Sequence, residues 1–372
     1  MKTRRSRLIG LVAFVVVVAV LALLPLAVSG FLVDFVLTRA LMLGLTAATV
    51  VFLARYGGMV SLGQILFFAI AGFMYGNAVL ESGARVLNLG WNPWVSILFA
   101  LAITTVVALL LGFIASRSSG IYFLMLTLVY AVIGYYFFAQ VVTISGPSGV
   151  TSITPPPQID SSLGLYYTVL LLSALAYAGF RLVGDTPFGM VLQGIRDDPI
   201  RMASLGVNVP VHRALAFTIA GFVAGLSGLV NVWWNGQIDP ASVAIGPALD
   251  ILIIAVIGGI SYFEGAWIGA FVYVAANNYL RSLPLVDRIG ITEDRFNTLI
   301  GLLVLLIMVL SPEGLVGIAA RVRRLLPGGR GVRVPSLESA ASGTAASTAA
   351  QPAHTATDGT MSSTTEERGT IL

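Results

Sequence analysis

Apolar stretches long enough to cross a bilayer follow one another along most of this chain, at 8–29, 35–54, 60–82, 92–115, 120–143, 163–182, 213–235, 246–260, 262–281 and 296–311. A helix needs about 20 apolar residues to span a hydrocarbon core of roughly 30 Å, so the pattern predicts an all-α polytopic membrane protein with about ten transmembrane helices. Only 10% of the residues are charged and 57% are hydrophobic, whereas soluble domains carry about 25% charged residues. The net charge of +4 does not mark nucleic-acid binding, because the basic residues gather at span ends. Cysteine is absent, which excludes disulfides, thiol catalysis and lipid anchoring through cysteine.

Lys2, Arg4, Arg5 and Arg7 precede the first stretch. Its apolar run is longer than that of a secretory signal, so it is expected to stay as a first span. Lysine and arginine bias sets orientation. Fifteen basic residues, from Lys2 to Arg333, fall on the side of the N-terminus, while Arg39, Arg85, Arg281, Arg288 and Arg295 fall on the other. A multi-pass protein of the cell (inner) membrane with both termini in the cytoplasm is expected. The chain divides into an N-terminal segment with the first span (1–34), a core (35–315) and a basic juxtamembrane segment with a tail (316–372). From 328 onwards alanine, serine, threonine and glycine replace the apolar pattern, and such a composition predicts disorder. The external loop 144–162 holds Gly146-Pro147-Ser148-Gly149 and Pro155-Pro156-Pro157, which suits a rigid, non-helical cap. A weak internal echo links Gly57-Gly58 and Asn77 to Gly258-Gly259 and Asn277-Asn278.

One polar insert, within the cytoplasmic loop 184–212, breaks the apolar series. Two short helices are written into it. Thr186 with Pro187, and Asp198 with Pro199, each place a capping side chain before a proline at the first helical position. Phe188, Val191, Leu192 and Ile195 recur at i, i+3, i+4 and i+7, opposite Gln193, Arg196 and Asp197. Gly206 supplies a C-terminal stop. An amphipathic element at this place predicts a docking surface for another protein.

Lys2 is the only lysine. A P-loop needs a lysine on the β- and γ-phosphates, so this chain does not hydrolyse ATP by that route, and any ATP-driven motor is a separate chain. Secondary transport would ask for ionisable groups inside the spans, and these are few: Asp34 and Arg39 at a span edge, Glu264 between two spans, and Asp250. Asp250 reads most simply as a carboxylate in the first turn of 246–260, favoured there by the helix dipole, with a place on a solute path as the alternative. Gly221-Phe222-Val223-Ala224-Gly225-Leu226-Ser227-Gly228 reads as a close-packing stripe. His212 and His354 form no metal or triad constellation, and no nucleophile–base pair falls within the spans.

Four ordered blocks carry a resemblance. Tyr56-Gly57-Gly58-Met59-Val60-Ser61-Leu62-Gly63-Gln64 and Gly120-Ile121-Tyr122-Phe123-Leu124-Met125-Leu126-Thr127-Leu128 are the first two. The insert from Thr186-Pro187-Phe188-Gly189 to Leu205-Gly206-Val207-Asn208 is the third. Gly246-Pro247-Ala248-Leu249-Asp250 through Gly258-Gly259 to Gly265 and Gly269 is the fourth. Together they resemble the branched-chain amino-acid ABC permeases, M-type subunit, over about residues 35 to 315. The resemblance implies a type II-like ABC importer core that pairs with a second, homologous permease, two cytoplasmic ATPases and an external binding protein. ATP and Mg would be bound by the ATPases, with no cofactor on this chain. The insert becomes the coupling region, with Phe188, Val191, Leu192, Ile195, Arg196, Asp197, Ala203, Leu205 and Gly206 as ATPase-docking residues. Ser61, Gln64, Asn77, Tyr122, Thr127 and Asp250 are the candidate polar positions along the path, each with an alternative as an interhelical hydrogen bond. Family members often carry an acidic residue in the glycine-rich external loop, where this chain has Ser145-Gly146-Pro147-Ser148-Gly149-Val150. They often carry another before paired alanines in the coupling region, where it has Arg201-Met202-Ala203-Ser204. Urea or short amides are an alternative cargo, and a stand-alone carrier is an alternative machine.

Overall fold

The structure, a computed structural model, describes residues 4–27, 30–81, 88–146, 149–281, 301 and 314–317. All lie in the first of two compact units, Met1–Val322. The expected span at 296–311 and the tail fall outside the described residues, apart from single short pieces. The elements are α1 (Arg4–Ala27), α2 (Gly30–Leu32), a π-helical turn (Val33–Thr38), α3 (Arg39–Gly57), α4 (Gln64–Val79), α5 (Pro93–Ala115), α6 (Gly120–Gln140), α7 (Val142–Ser145), α8 (Ser162–Asp185), α9 (Pro187–Asp197), α10 (Pro199–Ser204), α11 (Val209–Asn235), a 3-10 turn (Pro240–Val243), α12 (Ile245–Gly258) and α13 (Phe263–Arg281). No strand forms among the described residues. The β-contact is a single antiparallel bridge between Val150 and Ile238. That outcome follows from the solvent, since lipid offers backbone groups no partner and a helix pairs them internally.

Among the described residues five helices are long and apolar enough to cross a membrane, and six if α12 and α13, bent by 115° to each other, count as one broken span. The expected ten is not reached among the described residues, for local reasons. The stretch expected at 60–82 becomes helical only at Gln64, because Gly58 takes a left-handed turn (φ 63°) and Met59–Gly63 runs as a buried, non-helical segment. At 16 and 14 residues, α4 and α12 reach about 24 and 21 Å at 1.5 Å per residue, less than a full hydrocarbon thickness. The glycine pairs of the internal echo occupy matching places: Gly58 closes α3 before α4, and Gly259 (φ 108°) closes α12 before α13.

α3 is the centre of the bundle. Of the apolar window around it 89% is buried, against 22% for α5, as expected of a helix apolar on every side. The outer helices turn small residues inward and large ones outward. On α5, Ser96, Ala100, Thr104, Ala108 and Gly112 face the bundle while Leu98, Val106 and Leu110 face away. Lipid removes any drive to bury leucine, so close contact through small residues decides which face packs. The stripe on α11 behaves as expected. A Cβ at Gly228 would overlap the Phe68 carbonyl of α4, and one at Gly225 would stand 3.0 Å from Thr104 of α5.

Candidate functional site

At one end of the bundle, the insert folds as the two helices read from its caps. Thr186 accepts from the Gly189 N–H at 3.3 Å, and Asp198 accepts from the N–H groups of Ile200 and Arg201 at 3.0 and 2.9 Å. Gly206 adopts φ +86°, with its own N–H on the Ala203 carbonyl and that of Val207 on the Met202 carbonyl. This is the paired-bond stop that lets a left-handed glycine satisfy the last helical carbonyls.

The apolar face of α9 points inward, which corrects its expected use as the docking face. Leu192 and Ile195 are 0% exposed. Leu192 reaches the end of α3, where a Cβ on Gly57 would meet its Cδ1 at 3.9 Å. Phe188 is half-buried and stacks on His212, with ring centroids 5.7 Å apart, and Val191 is also half-buried. The physical reason is that a short amphipathic helix lying across a bundle end has its own core to cover first. The surface it leaves is different: Met190, Ile200 and Leu205 are 60%, 79% and 72% exposed, flanked by exposed Arg196, Asp197, Ala203 and Gly206.

Arg196 ties this element to the central helix. Its guanidinium donates to the Arg55 carbonyl at 2.5 Å and to Asp197 Oδ1 at 2.9 Å. Its Cγ lies 2.6 Å from where a Cβ of Gly58 would sit. The arginine thus takes up one of the carbonyls orphaned at the end of α3. Beside it, Arg55 lies over the ring of Phe263 at 5.2 Å, and Tyr177 donates to Glu264 at 2.6 Å while accepting from Arg181 at 2.6 Å. The α9 element, α3, α8 and α13 therefore meet at one polar and aromatic joint.

Two cavities open near the start of α3, one beside the preceding π-helical turn and one against Arg39, Met42, Leu43 and Thr46. An end cavity of about 480 Å³ is lined by Asp34, Phe35, Asp160, Ser161, Ser162, Trp233, Trp234 and Asn235, among others. An interior cavity of about 290 Å³ is lined by Arg39, Met42, Leu43, Thr46, Ile65, Phe68, Asn231, Trp234, Asn235, Ser242, Asp250, Ile251 and Tyr273. Trp234 and Asn235 wall both. The loop expected to form a cap is pinned beside them: Val150 and Ile238 exchange N–H···O bonds at 2.8 and 2.9 Å, and the Ile153 N–H reaches the Gly236 carbonyl at 2.9 Å.

Asp250 corrects its dipole reading. α12 begins at Ile245 and has no acidic residue in its first turn, so Asp250 sits past the reach of the helix end. It takes a hydrogen bond from Tyr273 and feels the charge of Arg39 across the cavity. A charge at the centre of an apolar span costs about 2.5–3.5 kcal/mol on insertion scales, so charges kept there face polar cavities.

The other expected path residues separate by environment. Thr127 accepts from the Leu62 N–H at 3.1 Å and donates to the Leu124 carbonyl at 3.0 Å, supporting the buried segment before α4. Ser61 accepts from the Gly63 N–H at 3.2 Å and from Gln64 Nε2 at 3.5 Å, and Gln64 keeps its Oε1 buried without a partner among the described residues. Asn77 donates to the carbonyls of Phe73 and Ile144 at 2.7 and 2.6 Å. Tyr122 is 77% exposed on the outer face of α6. None of these five lines either cavity, and only Asp250 does. Asn231, Asn235 and Tyr273 are cavity residues that sequence reasoning missed, whereas Asp34 and Arg39, the charges noted at a span edge, line the end and interior cavities.

Lipid-exposed helices around charged cavities, with an amphipathic element clamped to the most buried span, define a membrane permease. The chain belongs to the family described as branched-chain amino acid transport system / permease component, whose model matches residues 32–311. It is 25% identical over 333 residues to the high-affinity branched-chain amino acid transport system permease protein LivM of Escherichia coli (strain K12), covering 81% of this chain and 74% of that one. With LivM of Salmonella typhimurium it shares 24% over 286 residues, covering 69% of this chain and 64%, just under two thirds, of the relative. With the autoinducer 2 import system permease protein LsrC of Yersinia pestis it shares 28% over 204 residues, covering 50% and 57%. No solved structure matches the chain.

Proposed function

We propose that this chain is a membrane subunit of an ATP-driven importer of branched-chain or related hydrophobic amino acids. It forms the translocation path with a second, homologous permease. Two ATPase subunits dock on the α9–α10 element, and an external binding protein delivers solute at the opposite end. The observation that carries this reading is the construction of that element: Met190, Ile200 and Leu205 stand outward, while Leu192, Ile195 and Arg196 fasten it to α3. A partner that moves α9 moves α3, and α3 carries Arg39 and Met42 on the wall of the interior cavity. In this arrangement nucleotide binding and hydrolysis, with their Mg, occur on the partner chains, and this chain converts their closure into a change of access.

A different cargo on the same machine is the second reading. It is favoured by the similarity to LsrC, a protein named for autoinducer 2 import. Reconstitution of the chain with its partner subunits separates the two. ATP-dependent uptake of radiolabelled leucine is expected, with none when the ATPases are left out. Uptake by this chain alone, driven by a proton gradient, would overturn the proposal.

A further inference from the structure

The interior cavity pairs opposite charges without joining them. Among the described residues the ion pairs are Arg181–Glu264 and Arg196–Asp197, so Arg39 and Asp250 face the same space from α3 and α12 unbridged. The remaining wall divides into a polar part, with Asn231, Asn235 and Ser242, and an apolar part, with Leu43, Ile65, Phe68 and Ile251. At about 290 Å³ it lies at the lower end of the roughly 300–1,000 Å³ usual for small-molecule sites.

The backbone before Arg39 is special as well. Val33–Thr38 forms a π-helical turn, a rare feature that gathers at functional sites. Asp34 on the end cavity and Arg39 on the interior one are five residues apart. In an α-helix of 3.6 residues per turn, that spacing points side chains about 140° apart. The wider turn narrows that angle, and the two charges line neighbouring cavities. Between the cavities, Phe35 meets the Trp234 ring edge-on with centroids 6.1 Å apart, and Asn235 Nδ2 donates to Asn231 at 2.8 Å.

We infer that the interior cavity is a station for a zwitterionic amino acid, with its carboxylate on Arg39, its ammonium on Asp250 and its side chain against the Leu43–Phe68–Ile251 wall, entered from the end cavity past Trp234 and Asn235. This rests on the amino-acid reading above and adds the head-group chemistry to it. Solute then gives each charge a direct ion pair, which neither has with another described residue. A solute lacking either charge leaves one of them without that direct ion pair.

The absence of cysteine makes the test direct. Ser242→Cys places a thiol on the cavity wall of the complete transporter, and N-ethylmaleimide labelling is read on the band of this chain. Leucine is expected to slow labelling at least fivefold. 4-Methylpentanoate, which lacks the ammonium, and isoamylamine, which lacks the carboxylate, are expected to slow it less than twofold. Asp250→Asn and Arg39→Gln should each raise the half-protecting leucine concentration at least tenfold, and Arg39→Lys should restore most of the protection. The three-solute comparison needs no charge variant, so it stands even where such a variant fails to fold. Equal protection by all three solutes, or none by leucine while the Ser242→Cys transporter still takes up leucine, would overturn the station alone. Failure of the unsubstituted transporter to take up leucine would overturn the amino-acid reading together with it.

Discussion

Replacing Arg196 with alanine removes two contacts of unequal worth, and that inequality makes the joint between α9 and α3 testable. The first is a hydrogen bond from the guanidinium to the Arg55 carbonyl at 2.5 Å. The second is a pair with Asp197 at 2.8 Å, in which the side chains are 38% and 68% exposed. A hydrogen bond from a charged donor contributes about 1.5–3 kcal/mol, and an exposed ion pair about 0.2–1 kcal/mol. Allowing for solvent at the exposed guanidinium, Arg196→Ala should loosen the joint by about 1–2 kcal/mol, a factor of roughly 5–30 in its open fraction. Asp197→Ala, which removes only the pair, should cost a factor of about 5 or less. Leu192 and Ile195 still anchor the helix, so ATPase subunits should still co-purify. The assay is the ratio of leucine transported to ATP hydrolysed in proteoliposomes. It should fall several-fold for Arg196→Ala and little for Asp197→Ala. Equal losses would show that the exposed pair, and not the grip on α3, transmits the stroke. An unchanged ratio for Arg196→Ala would remove the joint from the mechanism.

Leu192→Ala, at a fully buried position, should cost about 2–5 kcal/mol and lower the melting temperature of the purified chain. Ile200→Ser, at 79% exposure, should change stability by about 0.5 kcal/mol or less yet weaken ATPase co-purification. Gly228→Ala should force α11 off the Phe68 carbonyl and destabilise by about 1–3 kcal/mol or more, whereas Gly246→Ala, with nothing within 4 Å, should not. Thr127→Val keeps the shape but leaves the Leu62 N–H unpaired, a loss of about 1–3 kcal/mol that Thr127→Ser should largely avoid. Thermal unfolding in detergent reads each of them.

What could be read from sequence was what local chemistry decides. The caps at Thr186-Pro187 and Asp198-Pro199, the stop at Gly206 and the packing stripe on α11 depend on neighbours a few residues away, and each takes its expected form. The direction faced by α9 was not legible, because the same apolar periodicity serves a core and a partner equally. Contact with Gly57 and Gly58, far back in the chain, decides it. The stretch around Met59, Val60 and Leu62 read as membrane helix because hydropathy registers burial and not backbone shape. Those residues are buried or half-buried in a non-helical segment held by Thr127. The cavity was hidden for a related reason. Arg39 and Asp250 sit on helices distant in sequence, and only the packing of α3 against α12 brings them to one space.

The most direct test of the account is an Ile200→Cys chain, in which this cysteine is the only one, probed with a membrane-impermeant maleimide from each side. The account predicts labelling in inside-out vesicles alone, slowed when the ATPase subunits are bound. Labelling of intact cells, or a rate indifferent to those subunits, would contradict it.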